Sequence, residues 1–216
     1  MSFIERKNLF QQKQAEIDSL ITRQNQLPEQ VFNSEISGYL FFHFDEIFTG
    51  EFFEKMKSFL NAIGEARLTL AVIKPDPEEY FYRNFGKYPA VEFSVKDTSD
   101  DYLVSLEENP NDSPADALNY NSDILVLYSE RLKWAIYADR NFELGIIGFK
   151  EENLKNMFMS IFGSDFVFDV KDAITEVLSL VYSHQQKGVP QDVINQLTNN
   201  YSRSAVVKTG LQPWIS

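Results

Sequence analysis

Cysteine is missing from this chain altogether, and with it go disulfide frameworks, thiolate nucleophiles and cysteine-held metals. Histidine occurs only as His43 and His184, and neither has a second histidine nearby to make a ligand pair. No apolar run approaches the roughly 20 residues that a bilayer span needs. The amino end, Met-Ser-Phe-Ile-Glu-Arg-Lys-Asn, has no apolar signal-peptide core. Glycine-rich phosphate loops and the Gly-x-Ser-x-Gly elbow are also missing. Together these absences predict a cytoplasmic protein with no membrane contact, no cofactor and no catalysis carried by a sequence motif.

What is present is enough for a folded core. Of the 216 residues, 44% are apolar and 19 are phenylalanine, a composition that argues against intrinsic disorder. Lys and Arg number 20 against 32 Asp and Glu, a formal charge of −12. A field of that sign repels phosphate backbones, so nucleic acid is not an expected partner. The same field speeds association with a basic protein. Solubility alone also accounts for an acidic surface.

The run from Asp123 to Lys150 organises the rest. Ile124–Tyr128, Lys133–Ala138 and Leu144–Phe149 are apolar stretches of strand length, separated by the short polar gaps Ser-Glu-Arg and Asp-Arg-Asn. Such gaps predict hairpins, hence an antiparallel β-meander over about 124–149. Gly145 and Gly148, inside the last strand, mark close packing or a bulge. Gly38–Phe44, Arg67–Lys74 and Ala90–Val95 read as further strands, and Thr49 as the cap of a helix carrying Phe52, Phe53, Met56 and Phe59. His43 lies in the first of these strands, ahead of Asp45 and Glu46; a packed strand histidine and a metal ligand are its two readings.

The fold expected is α+β: a mixed sheet containing the C-terminal meander, packed with helices. A long N-terminal helix is expected over Phe3–Gln26, where Phe3, Phe10 and Ile17 recur at seven-residue steps and no Gly or Pro intervenes. That stripe docks on its own domain or pairs with a second copy of the chain. The expected organisation is an N-terminal helix over 1–27, one α+β domain over 36–201, and a tail over 202–216 that carries Trp214.

Two groups of residues are candidates for partner contact. Between Asp97 and Asp116 there are seven acids and no Lys or Arg. A short helix over Asp100–Glu108 is followed by an exposed, mobile loop rich in Pro, Asn and Asp. Tyr102 and Tyr120 are the candidate aromatic anchors there, beside Asp100, Asp101 and Asp116. The second group is Asp139, Arg140 and Glu143, in the hairpin between the second and third meander strands. They read as specificity contacts or an acid/base pair. Alternatively they are an ordinary turn with an outward ion pair contributing about 0–1 kcal/mol.

Tyr128 to Gly148, with Trp134-Ala-Ile-Tyr followed by Asp139-Arg140 and a second apolar strand, resembles a segment of small bacterial proteins. Some of these are immunity proteins, which neutralise a toxin by binding it. The likeness is confined to residues 128–148 and includes no catalytic motif. It implies a bacterial cytoplasmic α+β protein and assigns no toxin or ligand. Two functions follow as expectations: a non-enzymatic module that binds a basic protein, or a hydrolase or transferase whose carboxylates are assembled only by the fold.

Overall fold

Six strands form one sheet in a computed structural model that describes residues 3–33, 35–36, 38–184 and 186–202. They are β1 (Gly38–His43), β2 (Arg67–Lys74), β3 (Ala90–Ser94), β4 (Ile124–Ser129), β5 (Trp134–Asp139) and β6 (Leu144–Phe149). Their order across the sheet is β1-β6-β5-β4-β2-β3, so the expected meander is its centre. Every ladder is antiparallel, which corrects the mixed sheet expected from sequence. The helical connection from β1 does lead to a strand of the same direction, β2. The three meander strands insert between them, so no parallel neighbours arise.

Seven helices flank the sheet among the described residues. They are α1 (Lys7–Asp18), α2 (Gly50–Ala62), α3 (Pro77–Tyr82 running on through Arg83–Phe85), α4 (Ser99–Glu107), α5 (Glu152–Phe162), α6 (Val170–Asp172, Ala173–Leu178 and Ser179–His184 in one run) and α7 (Gln191–Tyr201). Both faces of the sheet are covered. Phe52, Phe53, Met56 and Phe59 of α2 pack with α4 and α5 on one face. Ile17 of α1, Val177 of α6 and Leu197 of α7 pack on the other. Burial on both sides is why β4, β5 and β6 are continuous apolar runs rather than alternating ones.

The N-terminal helix is 12 residues long, much shorter than Phe3–Gln26. Two backbone pairings outside the helix end it. Ile4 exchanges both hydrogen bonds with Tyr88, at 3.2 and 2.7 Å, so the chain before Lys7 is extended and Phe3 enters the opposite core. Beyond Asp18 the chain doubles back, with Thr22 N–H donating to Val31 O at 2.8 Å and Asn33 N–H to Leu20 O at 2.9 Å. Within the helix, Phe10 stacks on Tyr88 at 4.1 Å and Ile17 is buried against the sheet. Of the two readings of the apolar stripe, the structure shows the first: Phe3, Phe10 and Ile17 are buried within the chain itself.

The two strand glycines do mark close packing. A Cβ on Gly145 would lie 2.3 Å from the Phe42 ring, and one on Gly148 2.5 Å from Ile36. Trp214 and the rest of 203–216 lie outside the described residues.

Candidate functional site

β1, β2 and β5 end, and β3, β4 and β6 begin, at one edge of the sheet, and most of the candidate residues collect there. The edge is built from the turn Phe44–Phe48, helix α3, the loop from Asn109 to Asp123 and the turn Arg140–Phe142. Chain punctuation explains each piece. Asp76 caps α3 by accepting from Glu78 N–H at 2.8 Å and Glu79 N–H at 2.7 Å. Pro110 and Pro114 each open a short 3-10 turn.

Asp116 is not part of an exposed loop surface. It is buried, and its Oδ1 accepts from Tyr80 Oη at 2.6 Å and from Asn121 Nδ2 at 2.7 Å. Its Oδ2 accepts from Ser113 Oγ at 2.5 Å. Burial pushes this carboxyl up, but donation from Ser113, Tyr80 and Asn121 outweighs it and holds the pKa below the ordinary aspartate value. Asp116 thereby raises the pKa of Tyr80, whose proton it accepts.

Asp139 and Arg140 do not form the outward ion pair that a polar turn suggested. Asp139 is 3% exposed and accepts from Asn141 N–H at 2.9 Å, fixing the turn. Burial pushes its carboxyl above the ordinary range, against the pull of the Asn141 and Phe142 N–H groups and of Lys74. Arg140 turns inward. Its Nε donates to Ser122 O at 3.0 Å, its Nη2 to Asn119 O at 2.9 Å, and its guanidinium lies 4.7 Å from the Phe44 ring centroid. Glu143 is exposed, with a left-handed φ of 52°, and its carbonyl accepts from Phe44 N–H at 3.0 Å.

The remaining candidates lie elsewhere. Tyr102 is fully buried, stacked on Phe53 at 4.5 Å, with its hydroxyl donating to Ile47 O at 2.6 Å. It has no face to offer a partner. Asp100 and Asp101 occupy the first turn of α4, where Asp101 and Thr98 form a reciprocal cap. Hydrogen bonds from Thr98 hold the Asp101 carboxyl below its ordinary value. Neither residue joins the Asp116–Arg140 cluster.

Tyr120 is the one predicted anchor left open, at 68% exposure. On α3 the fold leaves two more tyrosines exposed that were not singled out from sequence: Tyr80, 37% exposed and joined to the Tyr120 loop through Asp116, and Tyr82, 42% exposed and stacked on Tyr88 at 4.5 Å. Their signal was present in α3, where Phe81 and Phe85 supply the inward contacts and the tyrosines on either side of Phe81 are left exposed. Asp76, Glu78, Glu79, Asp112, Asp123 and Glu143, on the segments at this end of the sheet, are exposed as well, against exposed Lys74 and Arg83.

No family model matches the chain, no curated protein is significantly similar to it, and no solved structure matches it. The reading of this edge rests on its own geometry. A cleft of about 530 Å³ opens next to it, between α1, the Arg23–Gln26 loop and the end of β2, with Lys74, Asp123 and Asn141 at its floor. Its cations are already engaged: Arg23 with Asp18 at 2.5 and 2.9 Å, and Lys74 with Gln26 Oε1 at 3.0 Å. Among the described residues, no three His, Asp or Glu side chains gather as a metal site requires. His43, exposed at the end of β1, meets Phe168 edge-on at 5.4 Å. No helix is long and apolar enough to cross a membrane among the described residues.

Proposed function

We propose that this protein is a non-enzymatic binding module, of the immunity or regulatory kind, that docks a basic protein on the edge formed by α3 and the Asn109–Asp123 loop. The supporting observation is that three tyrosines, Tyr80, Tyr82 and Tyr120, and several carboxylates are exposed on the segments at this end of the sheet. Tyrosines supply large contact area at low entropy cost, the usual make-up of an interface centre. The carboxylates steer and orient a partner of opposite charge. The buried groups of the same edge serve as its frame: Asp116 holds Tyr80, and Arg140 holds the loop that carries Tyr120.

A second reading, hydrolase or transferase, draws on the cleft and on Asp139, whose carboxyl is pushed up by burial close to Asp123 and Lys74. Asp139 does not line that cleft, and its oxygen is engaged by the turn. Binding is therefore the better-supported function.

The test is capture from a lysate of the source organism at low and high salt, with the wild type and the Y82A/Y120A variant, followed by a direct titration of the purified partner. A basic protein bound tightly by the wild type at low salt, weakened by salt and lost in the variant, is the expected result. A captured protein that binds the variant equally well would refute this surface.

A further inference from the structure

A buried carboxyl lies at the opposite edge of the sheet. Glu65, in the corner between α2 and β2, is 4% exposed, and its Oε2 has no hydrogen-bond partner among the described residues. Ser129 at the end of β4 and Trp134 at the start of β5 are buried as well, and among the described residues Ser129 Oγ and Trp134 Nε1 likewise have no hydrogen-bond partner. Tyr128 pairs with Ala135 across the β4–β5 ladder, so Ser129 and Trp134 form the next facing pair. Trp134 belongs to the core on the α2 side, where its ring meets Phe59 edge-on at 5.7 Å, and Ser129 shares that side of the ladder. The Ser129 hydroxyl in turn lies close enough to Glu65 to influence its ionisation.

The Glu65 carboxyl and the Ser129 hydroxyl thus lie close together beneath the β4–β5 hairpin, with Trp134 facing Ser129 across the ladder, and each of the three has an unused polar atom. Buried polar atoms are rarely left so, and an unpaired buried charge is the costliest case. A protonated Glu65 carries its own donor, which Ser129 Oγ can accept. An ionised Glu65 is a charge in a buried position.

The charged groups facing Glu65 come from the same hairpin. Burial pushes its carboxyl above the ordinary range and outweighs the Ser129 hydroxyl, Arg131 and Lys133, which favour the ionised form; Glu130 opposes it. Lys133 is engaged by Glu151 at 2.6 Å. Arg131 is exposed and donates to the carbonyl of Gly64, the residue before Glu65, at 3.1 Å. A counter-ion for the carboxylate therefore stands just outside the buried position.

We propose that Glu65, Ser129 and Trp134 form a buried proton-binding site that couples the α2–β2 corner to the β4–β5 hairpin. With the proton bound, Glu65 stays inside and donates to Ser129. On losing the proton to solvent, the carboxylate swings outward to Arg131 and the hairpin loosens. The site is independent of the tyrosine-bearing surface, which lies at the other end of the strands.

The W214F variant leaves Trp134 as the sole tryptophan. In that background, Trp134 emission and amide hydrogen exchange over 129–134 should change together in one pH step with a midpoint above 4.5, the ordinary glutamate value. E65Q, permanently neutral, should abolish the step and hold the acid-form signal at all pH values. R131Q should move the midpoint upward, because the ionised form loses its counter-ion. A wild-type midpoint at or below 4.5, no step at all, a step that persists in E65Q, or an unmoved midpoint in R131Q would each overturn the proposal.

Discussion

The Arg140 guanidinium donates to the Asn119 carbonyl at 2.9 Å, tying the hairpin between β5 and β6 to the loop that presents Tyr120. A second donation, to Ser122 O at 3.0 Å, fixes the same loop one turn further on. The charge of Arg140 thus acts on carbonyl dipoles and on the Phe44 ring rather than on a partner. It is a positioning residue for the exposed tyrosine next to Asn119.

Truncating Arg140 to alanine strips donors from two carbonyls that its side chain satisfies. The expected cost is about 2–3 kcal/mol, in the range for hydrogen bonds from charged donors. Arg140→Lys should recover only part of it, because an ammonium cannot reproduce the planar fork that reaches both carbonyls while lying on the ring. Urea unfolding of the three proteins checks this. Wild-type stability in R140A would mean that the loop is held by other contacts.

Tyr102 separates core from surface. Tyr102→Phe removes only the hydroxyl that donates to Ile47 O and should cost about 1 kcal/mol. Tyr102→Ala also empties the space beside Phe53 and should cost about 3–5 kcal/mol, as large aromatic truncations in cores do. Folded Y102F should keep any partner affinity of the wild type, whereas Y120A, at an exposed site, should lower affinity with little loss of stability. Calorimetric titration against the captured partner, alongside urea midpoints, distinguishes the two sites.

What the sequence made legible was local. The meander could be read because its strands are joined by gaps of a few polar residues, and hairpin geometry follows from gap length. The same holds for Thr49, whose side chain accepts from Phe52 N–H three residues on. Strand direction beyond the meander was not legible, since β2 meets β4 across intervening chain that carries β3 and α4. The N-terminal stripe at seven-residue steps continued past the true helix because the pairing of Ile4 with Tyr88 leaves no trace near either residue. The surroundings of Asp116 and Arg140 were not legible for the same reason. Asp116 is covered by Tyr80 from 36 positions away, and Arg140 reaches a carbonyl 21 positions away. Tyr120 could be read because exposure at a loop tip needs no distant partner.

Gly145 gives a direct test of the sheet packing. A methyl group there would meet the Phe42 ring at 2.3 Å, and Phe42 is itself fully buried between Phe52 and Phe166. Gly145→Ala should therefore destabilise by about 1–3 kcal/mol or more, the range for overpacked cores. Adding Phe42→Leu should restore part of the loss, which independent sites would not do. A double-mutant cycle in urea measures the coupling, and simple additivity would count against this contact.

The pH dependence around Asp139 has a definite sign. Its carboxyl is pushed above the ordinary value of 3.8 by burial, so the folded state binds that proton more tightly than the unfolded state does. Stability from this group is fully present below 3.8 and is lost as pH rises through the higher folded-state value. At neutral pH the wild type therefore holds an ionised group where a neutral one is preferred. Asp139→Asn keeps a side-chain oxygen for the Asn141 N–H and removes the charge. D139N should unfold at a higher urea concentration than the wild type at pH 7, with the difference shrinking towards zero as pH approaches 3.8. The opposite sign at pH 7, with D139N the weaker, would show that Lys74 and the turn amides outweigh burial and that the carboxylate is the preferred form.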